Sequence, residues 1–378
     1  MKQEYSAINS LAKCLTLDHH PERICEIRSQ ITSESFDIDG WIKFASDQYV
    51  LPALFLQLNR ANLLPSLPPE YTEQLTQITK RNQERNLAIT KQALEIANHL
   101  KRDGIEAVFL KGTAHLFLNL YKDPAERMVG DIDLLVDEAD ILPTIQILEK
   151  MGFQSLVKYN RFIHQEMKHY PRMVNYKYAA AVEVHREIVS EPYNRFLPAE
   201  VIMAEKKEIE GFSGVYVPSD RHLIMHNMMN AQINDKAYTN KLLLLRQMYD
   251  LLLLSKRQDP CKALSDFGFL PKEANAWLAL NSELFDIPNQ IHYEETHQVR
   301  RYIKSFVWFQ KHPKTLGLYR TIIYFLMRIK RYVELPFKAI SNRDIRAGLW
   351  ARISDPKWYG KHLESYLNFF NPNRRYRK

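Results

Sequence analysis

Residues 108–136 read VFLKGTAHLFLNLYKDPAERMVGDIDLLV, and the Asp-Ile-Asp triplet near their end decides how the rest of the chain is interpreted. Side chains alternate between the two faces of a β-strand. Asp131 and Asp133 therefore share one face, while Ile132, Leu134 and the following Leu135 and Val136 anchor the segment in a core. Two carboxylates on one face repel each other unless one is protonated or a cation lies between them. A hard divalent ion such as Mg²⁺, shared with phosphate oxygens, removes that repulsion. The other reading of such a pair, a solvated strand edge, fits poorly with the apolar residues around it.

The flanking segments give this strand a setting. Residues 105–110 (IEAVFL) predict a buried strand, followed by a turn at Lys111-Gly112-Thr113. Residues 114–121 predict a helix whose first backbone N–H groups are open to an anion. Asp123-Pro124 breaks that pattern, and residues 138–151 (EADILPTIQILEKM) predict a helix closed by Gly152. Residues 153–173 suit irregular or antiparallel strands. Residues 180–188 (AAVEVHREI) alternate as a further strand, with Glu183 and His185 on one face. Residues 211–220 (GFSGVYVPSD) read as a last turn before an all-helical region that starts at Arg221. Upstream, residues 71–104 carry apolar positions at spacings of three and four, which predicts one long amphipathic helix ended by Asp103-Gly104.

The candidate site residues each have a plainer alternative. Glu183 is a third carboxylate for the site, or a strand residue paired with Arg186 or a lysine. Lys111 and Arg127 are placed to neutralise phosphate oxygens, Arg127 because it lies four residues before Asp131; either could instead be a surface charge, and Arg127 could pair with Glu126 or Asp123. Gly112 permits close backbone approach and Thr113 offers a hydroxyl, or the two form an ordinary tight turn. His185 orients Glu183, touches substrate or is a satisfied core histidine. Asp250 caps or pairs with Arg246, or reaches the cleft. His164, His169, His222 and His226 have no convincing ligand spacing, and Cys14, Cys25 and Cys261 are too scattered for a disulfide framework or zinc site.

With 378 residues, 46% hydrophobic and only 11 glycines, the chain has enough apolar material for a large, mostly helical core with a limited sheet. The expected class is α+β: a small mixed sheet bearing the site, wrapped by N- and C-terminal helical regions. The predicted divisions are residues 1–104, 105–218, 219–299 and 300–378. The N-terminus lacks a signal-peptide core, and no window reaches the roughly 18 apolar residues of a membrane-spanning helix. A cytoplasmic location is expected, with peripheral attachment to the inner membrane left open. Of 52 Lys/Arg, 19 lie in residues 300–378 beside only four acidic residues, so this segment carries about +15 and the first 299 residues about −7. Such a segment suits an anionic membrane surface, nucleic acid or another acidic partner. For residues 315–331 (TLGLYRTIIYFLMRIKR), a core helix with a solvated basic face is the simpler reading.

Taken together, Leu110-Lys111-Gly112-Thr113, Asp131-Ile132-Asp133, Val182-Glu183-Val184-His185 and Arg246-Gln247-Met248-Tyr249-Asp250 resemble the polymerase-beta-like nucleotidyltransferase superfamily. Within it they look like the bacterial group of uncharacterised nucleotidyltransferases, over roughly residues 105–255. The resemblance implies a glycine turn holding a nucleoside triphosphate and an Asp-x-Asp strand that binds two Mg²⁺ ions with a third acidic residue. It implies Asp131, Asp133 and Glu183 as catalytic and metal residues, and Lys111, Gly112, Thr113 and Arg127 as the nucleotide contacts. His185 and Asp250 would support them. The implied reaction moves a nucleoside monophosphate to a hydroxyl or phosphate of an acceptor that the sequence does not name: a small molecule, glycan, protein or RNA. The Lys-Gly-Thr turn departs from the superfamily's usual Gly-Gly or Gly-Ser, and the 17 residues between Thr113 and Asp131 exceed its usual spacing. The rival from another class is a non-catalytic protein of the same fold that binds nucleic acid, membrane or an acidic partner through its basic end.

Overall fold

A computed structural model describes residues 2–157, 168–265 and 271–369. His164 and the terminal NRRYRK lie outside the described residues. Those described form two compact units, one made of residues 2–157, 168–265 and 271–320 and the other of residues 321–369.

The first unit is α+β, with one mixed seven-stranded sheet among many helices. Its strands are β1 (Val108–Phe109), β2 (Asp131–Leu135), β3 (Gln154–Ser155), β4 (Met173–Val174), β5 (Ala181–His185), β6 (Lys207–Glu208) and β7 (Tyr216–Val217), in the order β3-β4-β5-β2-β1-β7-β6. The two five-residue strands sit side by side in the middle, and Ile132, Leu134, Val182 and Val184 are buried there. β2 and β5 run parallel, with Asp131 opposite Ala181, Asp133 opposite Glu183 and Leu135 opposite His185. That register fixes the site. Because facing residues in a ladder point the same way, two strands distant in sequence place their polar side chains on one face.

Two local expectations are corrected. Lys111-Gly112-Thr113 is itself the first turn of a helix, Lys111–Phe117, and the strand before it shrinks to Val108–Phe109. Residues 211–220 are more than a turn, because Tyr216–Val217 pairs with β1 in parallel and with β6 in antiparallel fashion. A helix can begin directly after β1 because Lys111 takes a left-handed backbone, φ +47°, which reverses the chain without a longer loop. For a residue with a Cβ this costs about 1–2 kcal/mol.

The long helix Pro69–Arg102 starts on a proline, ends before Gly104 at φ +73°, and presents Leu75, Ile89, Ala93, Ile96 and Leu100 to the core. Its buried face also carries polar residues at helical spacing, and these hold the segment leading to β2. Asn82 Nδ2 donates to the Ala125 carbonyl at 2.6 Å, and Asn86 Nδ2 donates to the carbonyls of Pro124 (2.6 Å) and Arg127 (2.7 Å). Arg85 donates to Val129, Gly130 and Ala179, while Gln92 exchanges two hydrogen bonds with the Ala180 backbone. The entries of β2 and β5 are thus fastened to one helix. The core is continuous from Ile8 to Phe306.

In the second unit, the later part of Pro313–Ser341 is followed by helices Arg343–Ile353 and Pro356–Phe369. Tyr332 hydrogen-bonds His362, whose ring stacks on Trp358 at 4.2 Å. Among the described residues no helix is long and apolar enough to cross a membrane.

Candidate active site

Asp133, Glu183 and His185 come together because of the β2–β5 register. One ligand atom from each lies within 4.8 Å of the others, an arrangement that could hold a metal ion. Asp133 is 6% exposed, and its Oδ1 accepts hydrogen bonds from Lys111 Nζ at 2.5 Å and His185 Nε2 at 2.9 Å. His185 is fully buried, with its Nε2 also 3.7 Å from Glu183 Oε2. His169 approaches the same Glu183 oxygen at 3.8 Å, and its ring packs 5.0 Å from that of His185. Asp131, more open at the start of the strand, pairs with Arg172.

The electrostatics follow from that packing. Burial alone would push the Asp133 carboxyl up, but the Lys111 ammonium and the His185 hydrogen bond outweigh it and hold the group well below the usual carboxylate range. Burial likewise works against the Lys111 ammonium, and Asp133 more than restores it, so its pKa lies above the ordinary value. Glu183 is held low despite burial and the nearby Asp133, through His185 and His169. Asp131 differs: burial, with Glu183 and Asp133 adding, raises it against the opposing Arg172. Lys168 is depressed to about 8 by burial and then by Lys111. The site thus carries three carboxylates balanced by Lys111, Lys168 and Arg172.

The other site residues predicted from sequence stand behind this face. Arg127 is 6% exposed and grips Asp250 with two parallel hydrogen bonds, Nε to Oδ1 at 2.8 Å and Nη2 to Oδ2 at 2.9 Å. Its carboxylate partner is therefore Asp250, not Glu126 or Asp123. Arg246 donates to the Met128 carbonyl at 3.1 Å, and its charge interacts with Asp250 across the buried site. Tyr121 Oη donates to Asp250 Oδ1 at 2.5 Å, with His115 Nδ1 3.3 Å from the same oxygen. Glu126 belongs to Arg60, its ion-pair partner. Thr113 is fully buried with its hydroxyl shielded from solvent.

Gly112 has a specific packing reason. A Cβ there would fall 2.3 Å from Arg127 Nη1 and 3.0 Å from Val129 Cγ1. The glycine lets the buried guanidinium press against the turn that carries Lys111. Gly112→Ala is expected to destabilise the protein by up to about 2 kcal/mol, because overpacking at a rigid ion pair, about 1–3 kcal/mol, exceeds the roughly 1 kcal/mol that alanine gains in a helix. A lowered urea midpoint with an unchanged slope would show it; an unchanged or raised midpoint would mean that the turn has room to give.

Several site residues escape a sequence reading. Lys168, His169 and Arg172 sit in a stretch without periodicity, and only the sheet brings them to the carboxylates. His226, in helix Asp220–Met229, is pushed well down by burial and by the cations Lys111 and Lys168. Asp235, just beyond a π-helical turn, adds negative charge near Lys111 and accepts from Gln247 Nε2 at 2.9 Å. For Asn82 and Asn86 a signal did exist: two amides four residues apart within an apolar stripe.

Comparison with known proteins agrees with this geometry in extent. No curated protein matches the chain. A family model described as uncharacterised nucleotidyltransferase matches residues 34–280, about two thirds of the chain. That span reaches beyond residues 105–255 in both directions and takes in the helix that fastens β2 and β5 as well as the Asp250 helix, Leu245–Leu254. The chain belongs to the uncharacterised nucleotidyltransferase family.

Proposed function

We propose that the chain is a Mg²⁺-dependent enzyme of polymerase-beta-like architecture that transfers a nucleoside monophosphate from a triphosphate to a hydroxyl or phosphate of its acceptor, releasing pyrophosphate. The observation that carries this reading is the parallel register placing Asp133 beside Glu183, with Asp131 on the same face. The donor set fits a hard divalent ion. Its carboxylate oxygens are the ligands Mg²⁺ prefers, and His185 Nε2 is engaged with Asp133 Oδ1, which suits it to orient that carboxylate. Asp131, Asp133 and Glu183 would hold the metal, which would neutralise triphosphate charge and favour pyrophosphate departure.

The chain's own groups account for the rest. Lys111, on a strained backbone beside Asp133, is the cation closest to where phosphate oxygens would gather; Lys168 and Arg172 add charge at the rim. Glu183, held ionised by its histidine neighbours, is able to accept the proton of an incoming hydroxyl. Arg127 and Asp250 act from behind, fixing the turn at Gly112.

Incubation of the full-length protein with α-labelled ribonucleoside triphosphates, Mg²⁺ and fractionated cell extract tests the reading. Labelled acceptor and released pyrophosphate, both stopped by EDTA, are expected. Release of nucleoside diphosphate would instead assign γ-phosphoryl transfer. Nucleotide binding that needs neither Mg²⁺ nor Asp133, without transfer, would assign a non-catalytic member of the family.

A further inference from the structure

In the second unit, the part of helix Pro313–Ser341 that follows Arg320 exposes an apolar stripe. Ile322, Phe325, Ile329, Val333, Phe337 and Ile340 recur at spacings of three and four, and each is between 43% and 75% exposed. Residues so spaced lie on one side of an α-helix, and a soluble chain normally buries such a face. The simpler expectation from sequence, a core helix with a wet basic side, does not hold for this part of the helix. The opposite side and flanks carry Arg328, Lys330, Arg331 and Lys338, against a single acid, Glu334. Residues 300–378 as a whole hold 19 Lys/Arg and four acids.

We propose that this helix lies in the headgroup layer of an anionic lipid bilayer, its stripe among the upper acyl chains and its cations at the phosphates. An apolar face beside a cationic one, in a helix of 29 residues without the apolarity of a spanning segment, is the pattern of an interfacial helix. Charge decides against the other occupants. A second copy would bring two strongly basic segments together, which costs energy at physiological ionic strength. Nucleic acid would satisfy the cations and stack on rings, but it offers nothing to Ile322, Ile329, Val333 and Ile340, whose aliphatic surface stays wet. Acyl chains and anionic headgroups satisfy both faces at once.

Co-sedimentation of the full-length protein with phosphatidylcholine vesicles, with and without phosphatidylglycerol, tests the proposal. Binding is expected only to the anionic vesicles and is expected to weaken with salt. The double variant Phe325→Ser, Ile329→Ser should reduce partitioning at least tenfold, since both side chains lose the apolar surface that would enter the acyl layer. Both residues are about half exposed, so folding should survive, and an unchanged circular dichroism melt verifies that. Lys330→Glu with Lys338→Glu should also abolish binding. Equal binding to neutral vesicles, or binding indifferent to the serine substitutions, would overturn the proposal. So would salt-sensitive capture of duplex or single-stranded RNA in place of vesicles, or a concentration-dependent dimer that the serine variant loses.

Discussion

Replacing Asp133 with asparagine is expected to lower nucleotidyl transfer about 10³-fold or more while the protein stays folded. A metal-held carboxylate is worth several kcal/mol of transition-state charge stabilisation, and each 1.36 kcal/mol is tenfold in rate, so about 4 kcal/mol sets this scale. Asparagine keeps the shape and can still accept from His185, but it removes the charge that faces Lys111 at 2.5 Å and the anionic oxygen offered to a cation. Loss of the charge pairing with Lys111 should cost about 1–3 kcal/mol in stability, too little to unfold a chain with a core continuous from Ile8 to Phe306. Single-turnover transfer from labelled triphosphate, with a thermal melt in parallel, separates the two effects. Arg172→Ala is the control, because its partner Asp131 lies at the open end of the strand. A modest loss there beside a near-total loss at position 133 would match the proposed roles. Transfer undiminished in Asp133→Asn would sink the assignment.

The elements that proved legible are those whose signal is local. The alternation at Asp131–Leu135 and Ala181–His185 yields two buried strands, and the 3.6-residue period of Pro69–Arg102 yields the long helix. What periodicity does not carry is pairing. The parallel partnership of β2 and β5 joins residues about fifty positions apart, and until it is known Glu183 is only a strand carboxylate. The same limit hid Arg127. In sequence its nearest acids are Glu126 and Asp123, yet the fold pairs it with a carboxylate 123 residues away and gives Glu126 to Arg60. Local proximity misleads for a residue that becomes buried, because burial selects the partner that best replaces water, not the nearest one along the chain. The short strands β6 and β7 were hidden for a different reason: two residues are too few for alternation to register, and a glycine-rich segment hides them further.

Arg127→Met should destabilise the protein by about 3–5 kcal/mol, the usual cost of leaving a buried charge without its partner. Methionine fills much of the same volume, so the loss reports charge and not a cavity. Asp250 is 2% exposed; burial would push its carboxyl up, but Arg127 and then His115 hold it far below the usual carboxylate range. A carboxyl depressed on folding contributes stability above its unfolded pKa, and that contribution is lost only as pH falls through the folded value. In the native protein the Arg127–Asp250 contribution therefore persists through the whole mildly acidic range. Without the guanidinium the sign reverses. Asp250, or His115 3.3 Å away, then binds a proton more readily in the folded state than in the unfolded one, so stability falls as pH rises towards neutrality. Urea unfolding between mildly acidic and neutral pH should show the variant's deficit growing with pH, whichever of the two groups carries the proton. Transfer activity should drop as well, because Arg127 Nη1 backs Gly112 and so the turn that carries Lys111. A deficit independent of pH would mean that other groups compensate the Asp250 charge. A deficit under 1 kcal/mol would mean that the pair does not hold the turn.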